Sequence, residues 1–544
     1  MTKTQNILGL TVAIGALAVA GCGGGSSPGG TGGGTTGPGA TGGSGGGANK
    51  PASDTTLNLG YYEDIQSPDP DIQYDIPGLE IVNNVYEGLV KYGTGTSTKI
   101  EPWLATSWTI SSNKKVYTFK LRKGVLFHDG TTFDAAAAKA SFERRIALKQ
   151  GTYYQVQAIK SIATPDSSTL KITLKAPTSA FMDYLASPYS VKMISPTAIK
   201  AHAKGTDRGQ AWLGKHDAGT GAYTLTQFTL GQQYAAKAWD KWWGQAPYYK
   251  KIVFKLVPDS GSQVLQLKGG DLDILHQQPI TTVDQFKSTK GFQTKVFPVF
   301  LKTWIHVNPN RPPFNVPAVR EVLGQAINRD VITKTFFGAY GTTSTQMYPK
   351  YMLAPSLAPD AQPLDPSKLK AAVAKLPSSD RKVDLIYLSG HGADIQRVSE
   401  EVGNELRQAG LDVNVHEVPV ATLFAYPSKD PKAAPNLFIG SENPDSANPD
   451  TWGRPYMYKG AGLNYLGGAV PAADAKMDAG LAETDPAKAT DDYVQAGTIL
   501  HDSGDYVTVA DPMDTFIART GITGFTHQLS CVTCLVLSDL KAGQ

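Results

Sequence analysis

Cysteine is scarce in this chain, with three among 544 residues. Charge is sparse and nearly balanced, since 51 Lys and Arg stand against 48 Asp and Glu and leave a net charge of +3. A chain so close to neutral does not indicate nucleic acid or an acidic surface as its partner. No long apolar run occurs after residue 20, so no later segment is predicted to cross a membrane. The length favours two or three domains.

The motifs of metal-dependent and nucleotide-dependent enzymes are absent as well. There is no HExxH pair, no Walker loop and no dinucleotide fingerprint behind a strand, and the nine histidines do not fall at ligand spacing. Residues 42–46 match the G-x-S-x-G nucleophile motif, but no strand precedes them and no helix follows, so the match carries no meaning. We therefore predict no catalytic residue, no metal site and no cofactor.

The first 53 residues differ in composition from the rest. Lys3 precedes an apolar run over residues 7–20, which ends in Val-Ala-Gly before Cys22. This order resembles a bacterial lipoprotein signal, which implies that residues 1–21 are removed and that Cys22 carries a lipid anchor. A plain secretory signal is the alternative. Residues 22–53 are rich in Gly, Ser, Thr and Pro, which predicts a disordered linker with a reach of roughly 30 Å.

Hydrophobic periodicity predicts the elements of the folded body. Tyr117, Phe119 and Leu121 alternate with polar residues, which is typical of a strand with one buried face. Asp134 follows a turn and is a candidate N-cap for a helix over 135–148. Farther along, a strand, a helix and a strand over 383–415 indicate a parallel βαβ unit and thus a separate α/β lobe.

Two stretches of the chain resemble a known family. The string Leu104-Ala105-x-Ser107-Trp108, followed by YTFKLRKGVLFHDG over 117–130, is similar to the signature of extracellular solute-binding proteins of ABC importers, family 5, which includes oligopeptide, dipeptide and nickel binders. The run from Pro313 to Arg329 is a second similar segment. One departure is the Ala136-Ala137 pair, where the family usually has acidic residues.

The resemblance implies an α/β fold of the type II periplasmic-binding-protein class. Two lobes, the first with an inserted subdomain, are joined by crossing strands that act as hinges. The expected ranges are 54–98, 219–304 and 505–544 for lobe I, 99–218 for the inserted subdomain and 305–504 for lobe II, with the strand at 506–510 returning to lobe I.

One loop is the main candidate for ligand binding. Residues 436–440 are predicted to form a buried strand, and ligands of open α/β sheets bind beyond the carboxyl ends of strands. Asp445-Ser446-Ala447-Asn448-Pro449 follows there and resembles the family's D-Y-x-D-P step, although Ser446 replaces the tyrosine. The resemblance implies that Asp445 pairs with a ligand's α-ammonium, and a solvated turn aspartate is the alternative.

Five further residues complete the predicted ligand site. Trp452 is a candidate for a cleft wall, and Trp304 and Asn308 lie on the strand expected to cross between lobes. Tyr61 and Tyr62 end the first strand, where clefts form, and partly buried packing residues are the alternative for both.

Cys531 and Cys534 lie close together near the end of the sequence. An exported protein occupies an oxidising space, which favours a disulfide between them. Zinc would need two more ligands, and His527 is the only near candidate.

The function implied by the resemblance is capture of a solute between two lobes and delivery to an ABC permease. Peptides are the first expected ligand, and a nickel chelate, a sugar or another small molecule is the alternative. A secreted hydrolase and a structural cell-wall lipoprotein are less favoured. We expect a monomer that binds no nucleic acid, attached by lipid to the outer face of the bacterial cytoplasmic membrane or located in the periplasm.

Overall fold

The computed structural model describes residues 49–96, 98–344, 346–353, 363–388 and 392–543. The predicted signal, Cys22 and most of the predicted linker lie outside these residues. The strands are β1 (Thr56–Tyr61), β2 (Val90–Tyr92), β3 (Ile100–Pro102), β4 (Ala105–Ile110), β5 (Val116–Leu121), β6 (Ile159–Asp166), β7 (Thr169–Leu174), β8 (Tyr223–Thr229), β9 (Gln233–Ala238), β10 (Lys251–Leu256), β11 (Ile274–His276), β12 (Phe292–Phe297), β13 (Lys302–Val307), β14 (Gly341–Thr343), β15 (Lys382–Leu388), β16 (Asp412–Val418), β17 (Leu437–Glu442), β18 (Tyr506–Pro512), β19 (Asp514–Arg519), β20 (Ile522–Thr523) and β21 (Lys541–Ala542).

The helices are α1 (Ile76–Val85), α2 (Ala135–Leu148), α3 (Phe181–Ala186), α4 (Pro196–His202), α5 (Gln210–Leu213), α6 (Ser260–Gly269), α7 (Ile280–Lys287), α8 (Pro317–Arg320), α9 (Leu323–Ala326), α10 (Arg329–Phe336), α11 (Pro366–Val373), α12 (Gly392–Gln408), α13 (Val420–Ala425), α14 (Asp450–Tyr456), α15 (Pro471–Ala482) and α16 (Pro486–Ser503). The stretch from Pro317 to Ala326 forms two short helices, α8 and α9, because Val322 leaves the helical backbone with ψ near 0°.

The first lobe is built on a seven-stranded sheet in the order β12-β19-β11-β1-β10-β9-β8. Its central strand β1 runs parallel to β10 and β11. The alternating residues Leu57 and Leu59 of β1 are fully buried, as their period-two spacing predicts.

A second sheet of the first lobe forms the inserted subdomain, with strand order β4-β5-β7-β6 and α2 packed against it. Phe119, Leu170 and Ile172 fill its core. Asp134 caps α2, since its carboxylate accepts a hydrogen bond from the backbone N–H of Ala137 at 2.8 Å. The predicted strand at 117–121 and helix at 135–148 are therefore confirmed.

The second lobe is built on a six-stranded sheet in the order β14-β18-β13-β17-β15-β16. Strand β15 pairs in parallel with both β16 and β17, and α12 connects β15 to β16, which confirms the predicted βαβ unit. Leu385, Leu437 and Ile439 lie in the core beneath α12.

The chain crosses between the two sheets at residues 298–301, between β12 and β13, and again at Met513, between β18 and β19. Tyr506–Pro512 lies in the second sheet, so the expectation that residues 506–510 return to the first lobe is wrong, and Asp514–Arg519 makes the return. Trp304 likewise lies within the second sheet, after the crossing. Hydrophobic alternation identifies a strand but not its partners, which explains both differences.

A buried network of two arginines and two aspartates supports the first lobe beside the cleft. Arg144 donates to Asp69 and Asp71, and Arg145 donates from Nε to Asp71 at 2.6 Å. Arg145 also donates to Thr152 and to the carbonyls of residues 70, 189 and 190. The network therefore joins α2 to the loop before α1 and to the loop that carries Tyr189.

The start of the folded body lies within the range predicted as linker. Lys50 is buried, and its Nζ donates to Asp54 at 2.6 Å and to Asp273 at 3.0 Å. Composition alone grouped Lys50 with the Gly-rich tract, because its ionic partner Asp273 lies 223 residues away in sequence.

Within the described ranges, the helices are too short or too polar to cross a bilayer.

Candidate functional site

A cavity lies between the two lobes, at the carboxyl end of β17. About 900 Å³ of space free of atoms is found there, part of it open to solvent. The first lobe contributes Glu63, Tyr74, Asp75 and Tyr189, and the second lobe contributes the end of β17 and the loop that follows it.

Asp445 lies in the wall of this cavity, only 4% exposed. Its carboxylate accepts hydrogen bonds from the hydroxyl of Tyr154 at 2.6 Å and from that of Tyr74 at 3.0 Å. Both tyrosines belong to the first lobe, so this side chain of the second lobe is held across the cleft. Burial raises the pKa of Asp445 to about 7, because the two hydroxyls compensate only part of the desolvation of the charge.

Three more carboxylates line the same cavity. Burial raises the pKa of Glu63 to about 7 and that of Asp75 to about 6. Asp75 caps α1 by accepting from the N–H of Gly78 at 2.7 Å. Glu442 accepts from Nε1 of Trp304 at 2.5 Å and contacts Nε2 of His306 at 2.8 Å. We call this site the acidic cavity, defined by Glu63, Asp75, Glu442 and Asp445.

The described residues that line the acidic cavity include no lysine, arginine or histidine. Tyrosines supply much of the remaining wall, among them Tyr456 and Tyr465. Carboxylates in a partly dry site form strong charge-assisted hydrogen bonds with ammonium groups, and tyrosine faces also attract cations. The geometry therefore suits a solute that carries positive charge.

Residues 99–464 match the sequence model of the bacterial extracellular solute-binding proteins, family 5 middle. The chain belongs to this family. The family resemblance of the two sequence segments is thus confirmed.

Curated relatives extend the match over most of the chain. The probable D,D-dipeptide-binding periplasmic protein DdpA of Escherichia coli strain K12 is 27% identical over 463 residues, which cover 83% of this chain and 87% of that protein. The glutathione-binding protein GsiB of Salmonella paratyphi A is 29% identical over 369 residues, covering 67% of this chain and 69% of that protein.

Solved structures of similar proteins confirm the predicted fold class. The periplasmic binding protein DppA of Helicobacter pylori, in complex with peptide STSA, has a TM-score of 0.77 at 22% identity and covers 90% of this chain and 98% of that one. NikZ of Campylobacter jejuni, in complex with Ni(L-His), has a TM-score of 0.77 at 18% identity, with coverage of 90% and 99%. At such identity the likeness shows the fold alone.

In this family 5 protein, the predicted tryptophans lie in the core and not in the cavity wall. Trp304 and Trp452 are fully buried, with ring centroids 4.5 Å apart. Nε1 of Trp452 donates to the carbonyl of Met347 at 3.1 Å. Trp304 contacts the site from behind, through its hydrogen bond to Glu442 and an edge-to-face contact with Tyr456 at 5.7 Å between ring centroids. The sequence does not separate a buried position from an exposed one here, because an aromatic residue within a strand (Trp304) or a helix (Trp452) can face either a core or a cleft.

Asn308, Tyr61 and Tyr62 also lie outside the acidic cavity. Asn308 is buried and donates to the carbonyls of residues 431 and 435, so it anchors a loop of the second lobe. Tyr61 packs against Phe254 and donates to the buried Glu80, which places it in the core of the first lobe. Tyr62 lines a neighbouring interlobe cavity.

Several lining residues were not identified from the sequence. Glu63 directly follows the tyrosines at the end of β1, and Glu442 is the last residue of β17, so position at the end of a strand was an available signal. No such signal marks Tyr189 in the cavity wall, or Tyr154, which donates to Asp445 from beside the cavity. Only the approach of the two lobes brings these tyrosines to the site.

Cys531 and Cys534 form a disulfide. It packs with Leu79, Tyr189 and Tyr74, directly behind one wall of the acidic cavity. His527, considered above as a metal ligand, lies 3.0 Å from Asp514. In the part of the chain that the structure describes, no cluster of three metal-ligating side chains occurs.

Proposed function

We propose that this chain captures peptides with a free amino terminus in the acidic cavity and delivers them to ABC permease subunits. Asp445 accepts the peptide's α-ammonium. The observation that carries the proposal is the position of Asp445, a buried carboxylate that lines the interlobe cavity and is held by hydroxyl groups rather than by a cation. Main-chain groups of a peptide find hydrogen-bond partners along the strand end, while roomy pockets accept varied side chains.

Two kinds of relative support peptides as the ligand class. DdpA is named as a dipeptide binder, and the DppA structure contains a peptide. A nickel chelate is the second candidate, because NikZ shares the fold and binds Ni(L-His). The chain then acts as a binding protein without catalysing a reaction, and as a monomer.

Affinity for a peptide with a free amino terminus is expected to fall as the pH decreases from 8 to 5.5. The ammonium requires an ionised Asp445, and the pKa of that carboxyl is raised to about 7, so protonation below pH 7 competes with binding. Protonation of Asp445 alone predicts that the affinity at pH 5.5 is roughly 30-fold lower than at pH 8. Glu63 and Asp75, which face the same cavity with raised pKa values, act in the same direction.

Isothermal titration calorimetry of Ala-Ala-Ala and of N-acetyl-Ala-Ala-Ala at both pH values measures this effect. The acetylated peptide has no ammonium and is expected to bind weakly at both pH values. Equal affinity of the two peptides at pH 8, or a pH-independent affinity of the free peptide, would remove Asp445 from the proposed role. No binding of either peptide would favour the nickel chelate.

We also propose that Cys22 is acylated and attaches the protein to the outer face of the cytoplasmic membrane. The variant Cys22→Ser is expected to move the protein from the membrane fraction to the soluble fraction, because two acyl chains supply stable anchoring and one residue carries them. Immunoblots of fractionated cells measure the distribution. An unchanged membrane association would exclude Cys22 as the anchor.

A further inference from the structure

The second lobe gives the acidic cavity one apolar wall. Phe438 and Tyr465 in this wall are buried, whereas Val420 is 36% exposed and Phe424 is 48% exposed. Large apolar side chains that stay exposed beside a cavity are typical of a surface that binds another molecule. Val420 and Phe424 are therefore available to a ligand in the cavity.

A single helix carries both exposed side chains. Val420 and Phe424 are four residues apart in α13, so they lie on the same face of the helix. Leu423 of the same helix is fully buried, in a cluster with Phe438 and Tyr465. The helix is thus fixed to the core of the second lobe by Leu423, and it presents Val420 and Phe424 to the cavity. We call these two side chains the apolar ridge.

Aromatic contacts hold the ring of Phe424 in place. It meets the ring of Tyr465 edge to face, with the two centroids 5.8 Å apart. Tyr465 packs in the same manner against Phe438 at 5.5 Å, and Phe438 is fully buried. A ring that is already ordered loses little conformational freedom when a ligand covers it, so more of the free energy gained by burial is retained as affinity.

The apolar ridge and the proposed ammonium site at Asp445 line the same cavity, so one ligand can contact both. A ligand side chain that covers the ridge removes its own apolar surface and that of the protein from water, which is favourable. An aromatic ring on the ligand adds the attraction between its ring and that of Phe424. We propose that the preferred solute is a peptide with a large apolar side chain, best an aromatic one, that packs on the apolar ridge while the amino terminus lies at Asp445. This inference rests on the proposed peptide-binding function.

Four tripeptides test the inference on the wild-type protein. Ala-Ala-Ala is compared with the three peptides in which phenylalanine replaces one alanine, and each is titrated by calorimetry at pH 8. At least one phenylalanine peptide is expected to bind about tenfold tighter than Ala-Ala-Ala, because burial of a phenylalanine side chain contributes that much affinity or more. A gain below about threefold at every position, well short of such burial, would overturn the inference while the proposed function stands. Failure of all four peptides to bind would overturn both.

Substitutions on the apolar ridge locate the contact. Phe424→Ser is expected to bring the ratio of phenylalanine to alanine affinities close to one and to change the affinity for Ala-Ala-Ala by less than about threefold, because the ridge covers little of an alanine side chain. Val420→Ser, a smaller change on the same ridge, is expected to lower the ratio in part. Leu265→Ser is the matched control, because Leu265 is 72% exposed on α6 and lies outside the lining of the acidic cavity. An unchanged ratio in both ridge variants, or an equal fall in Leu265→Ser, would overturn the inference.

Discussion

Replacing Arg145 with alanine is expected to lower the free energy of unfolding by about 3–5 kcal/mol, the usual cost of removing one partner from a buried ion pair. Arg145 is fully buried and donates to Asp71, to Thr152 and to three backbone carbonyls. Without it, Arg144 alone faces the two buried carboxylates Asp69 and Asp71. Urea denaturation followed by tryptophan fluorescence measures the loss.

The same helix supplies a matched control. Glu143 is exposed on α2 and approaches Lys139 at 3.7 Å, an ion pair in contact with water. Glu143→Ala is expected to change the free energy of unfolding by less than about 0.5 kcal/mol. Similar losses for Arg145→Ala and Glu143→Ala would show that the buried network contributes no more than a surface pair.

Replacing Asp445 with asparagine is expected to weaken binding of a free-amine peptide by about 2–5 kcal/mol, which is roughly 30-fold to 5,000-fold in Kd. Asparagine keeps the size of the side chain and an oxygen that accepts from Tyr74 and Tyr154, but it carries no charge for the ammonium. Calorimetry at pH 8 measures the change. The N-acetylated peptide is expected to bind the variant and the wild type alike.

Stability provides an independent check on Asp445→Asn. The pKa of Asp445 in the folded protein, about 7, lies above its unfolded value, so the ionised carboxylate costs stability once the pH exceeds both values. The variant is therefore expected to be at least as stable as wild type at pH 8. Asp502→Asn, an exposed change on the same lobe, is expected to leave both affinity and stability unchanged. Tight binding of the free-amine peptide by Asp445→Asn would exclude the ammonium role.

The sequence alone was sufficient to predict the side of the cleft that the second lobe contributes. A buried strand followed by a polar loop predicted that Asp445 lies at the carboxyl end of a sheet, and the structure places it in the wall of the interlobe cavity. Helix and strand patterns also predicted β5, α2 and the βαβ unit, because their periodicity is local and strong.

The other side of the cleft could not be predicted in the same way. Tyr154 lies 291 residues from Asp445 in sequence, and only the approach of the two lobes joins them. Trp304 is a different case. The sequence predicted its strand, but not that its side chain is buried in the core of the second lobe. A large aromatic side chain stabilises a core as readily as a binding surface, and the sequence pattern is the same for both.

The two crossings between the lobes are neighbours in space. Phe297 pairs with Asp514 in the first sheet, and Thr303 pairs with Ala510 in the second. The chain thus enters and leaves the second lobe at one place, as an inserted domain does in its host. Residues 302–512 can therefore be exchanged as one segment in chimeras between family members. Such an exchange replaces Glu442 and Asp445 together and leaves the strand pairs within each sheet intact.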